Sequence, residues 1–511
     1  MFRASPEILL FSAGGFCLML GKCCCMIGVF KRSAQGICAG KEQVMEYSRK
    51  FPEIEYAEIQ APTASFPKGP VDLTDATMEK RRRNILKRME EKNLDTLLIY
   101  ADREHGGNFG YLTGFEPRFE EAALALHRDG RAVLLLGNEN MKMAAYSRIL
   151  ADTVHVPYFS LPNQPMGNQK PLWQLIEDAG IRSGSRVGAV GWKLFTSSFE
   201  DNGQLFDLPC FLMEALRKAA GEEGSVVNAT GLFIHPKTGA RIHNNANEIA
   251  HYEYGAALAS CCMMEMMDQI EVGKTEIELA SFLAAGGQPV NVQTICAVGD
   301  RFTNAVVAPR NKTVSLGDKF SSTLGFRGGL TSRSGYIART EEDLPEQVQD
   351  YLEAVAKPYY RAALVWYETM GLGLSAERLY HLIEEVLPRN VYGWTLNPGH
   401  YVSDEEWMAS PFYEGSETVI ESGMMFQMDI IPSVPGYGGV SAEDGIAVAD
   451  ERLRKELEEI YPEVWKRIEK RRAYMEKELG ICLKPEILPL SDTEGYLRPF
   501  LLNRKKAFRK K

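Results

Sequence analysis

Cysteine is placed where a fold could make little use of it. Five of the ten (Cys17, Cys23, Cys24, Cys25 and Cys38) crowd into the first 38 residues of a 511-residue chain. The other five, Cys210, Cys261, Cys262, Cys296 and Cys482, have neither disulfide nor metal-site spacing. That usage excludes a disulfide scaffold and fits a reducing, cytoplasmic setting. Phosphate-binding motifs are also missing: there is no G-x-G-x-x-G and no P-loop. The Gly-rich "EHGGNFGY", with His105 and Asn108, therefore reads as a tight connection. Positive charge is not in excess; the net charge of −10 excludes nucleic acid as the default partner. No apolar run is long enough to span a bilayer, so no membrane partner is expected. The opening "ILLFSAGGFCLML" is preceded by Glu7 and followed by no clear cleavage site, and Lys22 interrupts what comes after. We read residues 1–44 as an over-long start with Met45 as the functional beginning, export being the lesser reading.

The length requires two or more cores. From residue 76 helical and strand patterns alternate. "DATMEKRRRNILKRMEEKNL" is an amphipathic helix capped by Asp75, and "DTLLIYA" is a buried strand. "EEAALALHRDGRAVLLLG" is a hairpin about Asp129-Gly130. A helix near 138–149 and further strands and helices complete an α/β domain over 45–245. A long Met-rich helix opens a second, α+β domain over 246–480, in which Thr275 and Glu278 form a capping box. Strands are expected at 290–297, 319–325 and 333–338, and helices at 344–370 and 375–387. After Asp450 a final helix breaks at Pro462, and 481–511, ending "NRKKAFRKK", reads as a solvated tail. His381 reads as a packed or solvated helix residue, and Cys296 as inert core.

One stretch poses an electrostatic problem. "MMFQMDII" and "GVSAEDGIAV" flank a turn rich in Pro and Gly, as a β-hairpin would. If the turn centres on Gly436, facing positions sum to 872, and Asp429 lies opposite Glu443. Two acids about 5 Å apart on one face repel. With His400, in "NPGH", they could hold a divalent metal, or share a proton and do acid–base work. The bland alternative is a misjudged register that leaves both acids on the surface.

The second domain resembles the pita-bread family of creatinase, aminopeptidase P and prolidase. The likeness is carried by "GKTEIELA", "VSLGD", "GYIART", "NPGH", "ESGMMFQMDIIP" and "GGVSAEDGIAV", in that order; "NFGYLTGF" is similar to the family's N-terminal domain. The resemblance implies a creatinase-type N-terminal α/β domain, a C-terminal pita-bread domain and a homodimer. It also implies a peptidase site of two Asp, one His and two Glu around two metal ions. Position by position, the His matches His400, the first Glu falls on Asp429 and the second on Glu443, 14 residues on. The two Asp positions fail. Thr323 stands at the first, and Arg333 or Ser334 at the second, depending on where a two-residue insertion is placed. Two further family His positions fall near Val306 and at Trp407.

A neutral Thr hydroxyl cannot replace a bridging carboxylate, and an Arg at 333 would repel a second cation. The expectation is therefore no metal or one divalent ion, Mn or Zn, on His400, Asp429 and Glu443, and no dinuclear centre. Arg333 or Arg339 could neutralise the acids through its planar fork, and Arg339, which matches a family Arg, could hold a substrate carboxylate. Loss of metal need not end catalysis, since creatinase is itself metal-free. Three functions follow: a hydrolase of a C–N bond in a small peptide or amide without the dinuclear centre, an Xaa-Pro peptidase with one ion, or a non-catalytic binder of a peptide or partner protein.

Overall fold

The computed structural model describes residues 51–164, 170–303 and 307–511. The reading of residues 1–44, and the position near Val306, lie outside them.

The first strand, β1 (Ile54–Glu58), belongs to a two-stranded sheet completed at the far end of the chain. The helix Asp75–Glu91 follows. Its cap is Thr74 rather than Asp75: the Thr74 side chain accepts from the Thr77 amide, and Asp75 becomes the first helical residue. A carboxylate is as favourable there, against the helix dipole, as at the cap. Strands β2 (Thr96–Ala101), β3 (Ala122–His127), β4 (Ala132–Leu136), β5 (Asp152–His155), β6 (Arg186–Val190) and β7 (Ser225–Asn228) form a six-stranded mixed sheet in the order β5-β4-β3-β2-β6-β7. The hairpin about Asp129-Gly130 is β3–β4, with Gly130 at φ +89°. The helix expected near 138–149 is only a 3₁₀ segment, Met141–Tyr146.

The helix Ala246–Asp268 opens the second region, with Asn245 and Glu248 as a reciprocal capping box. Its Met263, Met266 and Met267 are core, as the pattern implies. Strands β8 (Ile295–Val298), β9 (Lys319–Phe326), β10 (Gly329–Tyr336), β11 (His400–Tyr401), β12 (Met425–Met428) and β13 (Ser441–Val448) form a curved sheet in the order β11-β12-β13-β10-β9-β8. The long helix lies across β9 and β10. Their turn can sit on it because Gly328, at φ +101°, and Gly329 carry no Cβ; one on Gly329 would stand 2.5 Å from that of Ala256.

Residues 341–356 form short 3₁₀ and π segments before the helix Lys357–Thr369, where one continuous helix was expected. Helices Glu451–Ile460 and Pro462–Lys477 meet at the expected Pro break.

The tail reading of 481–511 is corrected. Strand β14 (Ile487–Pro489) pairs with β13, and β15 (Lys506–Lys510) pairs along its length with β1. Within "KAFRK" the buried Ala507 and Phe508 supply the apolar contact, and the lysines turn to the rim. Charge density hid a two-residue hydrophobic anchor. Among the described residues no helix is long and apolar enough to cross a membrane.

Candidate metal or acid–base site

The register of β12 and β13 sums to 872 at every pair, from Met425↔Ala447 to Met428↔Asp444. Asp429 continues it and faces Glu443, although residues 429–440 form a longer connection than a tight turn. His400 pairs with Gln427 across β11–β12, which brings it to the same face. The His400 Nε2 lies 3.8 Å from an oxygen of each acid. One ligand atom from each of the three residues lies within 4.8 Å of the others. All three are buried.

The His400 Nδ1 is 3.1 Å from the Tyr401 carbonyl oxygen. That carbonyl can only accept, so Nδ1 carries the proton and the Nε2 lone pair faces the acids. Burial lowers the imidazole pKa, against the pull of Asp429, and favours this neutral form. Burial raises the Asp429 pKa well above the usual carboxylate range, and the facing Glu443 adds to the shift. The Glu443 pKa is likewise raised by burial, then by Glu406 and Asp444. Two buried acceptors here, Asp429 Oδ1 and Gln427 Oε1, have no hydrogen-bond partner among the described residues.

Neither Arg neutralises this pair. Arg333 is on β10 between Ser332 and Ser334, and strand alternation sends it to the opposite face. There it pairs with Asp444, Nη1 donates to the Glu443 carbonyl oxygen at 3.1 Å, and Nη2 donates to the Thr493 carbonyl oxygen at 2.6 Å. Arg339 is beyond the end of β10, largely exposed, with a guanidinium nitrogen 3.8 Å from Asp343. Both expectations failed for one reason: a sequence shows which cations are near in the chain, but not which face they take.

The failing Asp positions become clear in the register. Thr323 pairs with Ser332 and Ser332 with Glu443, so all three share a row with Asp429. Ser321, Ser334 and Ser441 form the next row. Of the two residues read at the second Asp position, Ser334 is on this face and Arg333 on the other. Thr323 donates to Ser332 Oγ at 2.9 Å, and Ser334 to Ser321 Oγ at 2.9 Å. These five hydroxyl residues and Glu443 are 5–7% exposed, whereas Ser322, Thr331, Arg333, Ala442 and Asp444 on the other face are 0–1% exposed. The front face therefore borders reachable space. Its donor set of one imidazole, two carboxylates and neutral hydroxyls fits one divalent ion with open positions. Among the described residues it is the one group of at least three such side chains close enough to hold an ion.

Two features escaped the sequence reading. Glu406 acts electrostatically on His400, Asp429 and Glu443, and its own pKa is raised by burial. The neighbouring Trp407 ring is 5.9 Å from the His400 ring. The other feature is an ion-pair node centred on buried Arg241. This residue bonds Asn108 Oδ1 at 2.9 Å, Glu405 Oε1 at 2.7 Å and Ser403 Oγ at 2.7 Å, and so ties the first region to the loop after β11. Beside that node a cavity of about 500 Å³ is bordered by Asp102, Arg103, His105, Asn291, Arg327 and Glu405. The sequence signal for both is the acid run "SDEEW". His381 is on an exposed helix face 3.8 Å from Glu377, and burial pushes the Cys296 thiol up to about 12, so neither joins the site.

Comparison with known proteins agrees with this architecture. The Creatinase/Prolidase N-terminal domain family matches residues 81–235, and Metallopeptidase family M24 matches residues 250–450. An Xaa-Pro dipeptidase of Lactobacillus helveticus is 23% identical over 223 residues, 41% of this chain and 58% of that protein. One from Pyrococcus horikoshii is 26% identical over 237 residues, 43% of this chain and 64% of that protein. The chain thus aligns with about three-fifths of the length of these relatives. Among solved structures, the prolidase from Pyrococcus horikoshii has a TM-score of 0.56 at 19% identity, covering 72% of this chain and 95% of that one. The Xaa-Pro dipeptidase from Bacillus anthracis has a TM-score of 0.54 at 17% identity, covering 73% and 96%. These likenesses concern the fold. With both domains matched in order along most of its length, this chain belongs to the pita-bread creatinase/prolidase family.

Proposed function

We propose that this protein hydrolyses a C–N bond in a small peptide or amide, with a single divalent cation, Mn or Zn, held by His400, Asp429 and Glu443. The observation that carries the reading is an acid pair with no guanidinium partner and an imidazole lone pair turned toward it. A divalent ion bound there would supply Lewis acidity and a water more acidic than bulk water. The residues do the rest. His400, fixed by its bond to the Tyr401 carbonyl, keeps a neutral nitrogen on the site. Asp429 and Glu443 supply negative charge, and one of them takes a proton from water. The hydroxyl rows can donate hydrogen bonds to a substrate carbonyl or carboxylate. The printed names of the relatives favour Xaa-Pro dipeptides as first substrates. A cytoplasmic homodimer belongs to this reading on the strength of family resemblance.

A metal-free hydrolase is the second reading, favoured by the upward shift of both carboxyls: with one protonated, the pair could act as acid and base without an ion. One experiment separates the two. Metal per chain is measured in protein purified without chelator, and a panel of Xaa-Pro dipeptides is assayed with and without EDTA. One equivalent of metal and EDTA-sensitive hydrolysis are expected. Two equivalents would refute the reading of missing ligands at Thr323 and at Arg333 or Ser334. EDTA-resistant hydrolysis would transfer the function to the acid pair alone. No hydrolysis would leave the fold as a binding protein.

A further inference from the structure

Away from the acid face, the first region carries a groove of about 830 Å³ beside the ends of β6 and β7. The last turn of the helix Asp75–Glu91 and the short helix Gly231–Ile234 border it. Leu94, Val227, Ala229 and Leu232 give it an apolar side. Around them stand Lys87, Arg88, Lys92 and Arg186, against one carboxylate, Glu91. Four cations to one acid is the reverse of the chain as a whole, whose net charge is −10. Nor are these cations used up within the fold. Lys92 and Arg186 are exposed, and their side chains have no hydrogen bond or ion pair among the described residues. Lys87 is 3.9 Å from Glu91 with both side chains more than half exposed, too loose a pair to hold either charge. Arg88 donates only to backbone carbonyl oxygens, of Thr238 at 3.0 Å and Asn84 at 3.2 Å, which fixes its guanidinium without neutralising it. His235, which also borders the groove, accepts the Lys237 amide on Nδ1 at 3.2 Å, so its second nitrogen is left as a donor.

We propose that this groove binds a small organic anion with an aliphatic body, a medium-chain carboxylate. The inference is independent of the ion site, because none of the groove's residues belongs to the strands around His400, Asp429 and Glu443. Three features select this class of ligand. Uncompensated cations around a concave surface focus their field on it and favour an anion there. That field already reaches the groove's own residues: after burial, Lys92 and Lys237 lower the His235 pKa. The apolar side lets a hydrocarbon tail leave water, which raises affinity about fourfold for each CH₂ fully buried. Finally, no aromatic ring other than the His235 imidazole borders the groove, so it has no platform on which a nucleotide base could stack. Its volume is in the range of small-molecule sites and larger than an inorganic anion requires.

The test is a calorimetric titration of the full-length protein with octanoate, acetate and 1-octanol. Octanoate should saturate at one per chain. Acetate has the charge without the tail and octanol the tail without the charge, so each should bind at least about tenfold more weakly. The double variant Lys92→Glu with Arg186→Glu should lose about tenfold or more in octanoate affinity. Lys142→Glu, which reverses an exposed cation outside the groove, should lose nothing. Neither Lys92 nor Arg186 has a side-chain bond to lose, so the double variant should unfold at the wild-type midpoint. Arg186→Gln, a milder change, should lose about threefold and serves where the double reversal does not fold. Wild type that does not saturate with octanoate, or that binds acetate equally well, would overturn the proposal. So would variants that keep wild-type affinity, because the octanoate would then be bound elsewhere on the chain.

Discussion

Glu443 and Asp444 are consecutive residues on one strand, equally acidic, and their surroundings are opposite. Asp444 faces the back of the sheet. It pairs there with Arg333 and accepts from Thr493 Oγ1 at 2.9 Å; nearby, Arg471 bonds Asp492 and Glu253, each at 2.7 Å. Glu443 faces the front, where it meets another acid, a neutral imidazole and hydroxyls, and no guanidinium. On the back Asp444 and Arg333 answer each other, although the oxygens of buried Glu494 beside them have no hydrogen-bond partner among the described residues and burial and Asp444 raise its pKa. On the front no guanidinium bonds either acid, and Arg333 acts on Glu443 only from the other face of the sheet, which leaves the front open to a ligand, an ion or a proton. That contrast identifies a functional face more sharply than burial does, because both residues are buried.

The largest way to break the contrast is to unbalance the back. Arg333→Ala leaves Asp444 charged and alone in the interior, and should destabilise the fold by about 3–5 kcal/mol in urea unfolding. The double variant Arg333→Met with Asp444→Leu, which removes both charges at similar volume, should recover most of that loss. If Arg333→Ala cost nothing, the back face would not hold the matched pair described here.

The front should respond in the opposite sense. Asp429 and Glu443 have folded-state pKa values raised above those of the unfolded chain. Their contribution to the stability of the ion-free protein is therefore fully present below about pH 4. It is lost as pH rises through the elevated folded values. Glu443→Gln removes one of these acids, so in EDTA at neutral pH it should be more stable than wild type, with a flatter pH dependence. Added Mn²⁺ should stabilise wild type and leave Glu443→Gln unchanged. Lower stability of Glu443→Gln at every pH would mean that Glu443 is bonded internally after all, and the contrast would vanish.

How much of this was legible beforehand follows the same division. The alternation of apolar and polar residues in "MMFQMDII" and "GVSAEDGIAV", together with one turn, was enough to place Asp429 opposite Glu443, because strand period and register leave few alternatives. His400, 29 residues from Asp429, was a candidate partner from its residue type, and the resemblance matched it to a family His; no local pattern could bring it there. What stayed hidden was facing. Arg333 differs from Ser332 and Ser334 by one position, and one position is a change of face. Glu406 was hidden in an acid run whose other members, Asp404 and Glu405, are absorbed by Arg241. "NRKKAFRKK" hid its strand because two buried residues among charges give too short a pattern to read.

The smallest predicted effect tests the residue that the resemblance favoured and the fold does not. Arg339 is a long, exposed cation with its nearest acid four residues away, at a separation too large for a strong bond. Exposed pairs of this kind contribute at most a fraction of a kcal/mol, because water solvates both charges about as well apart as together. Arg339→Ala should therefore change stability by less than about 0.5 kcal/mol, and should leave both kcat and KM for any cleaved dipeptide where they were. The KM comparison is the discriminating one. A guanidinium gripping the substrate carboxylate in the ground state and transition state alike would, when removed, raise KM and leave kcat alone. A rise of about tenfold or more would correspond to a lost interaction of about 1.4 kcal/mol. That is more than this solvated pair can contribute, so it would bring Arg339 back to the substrate and require the exposed segment after β10 to close over the front face when substrate binds.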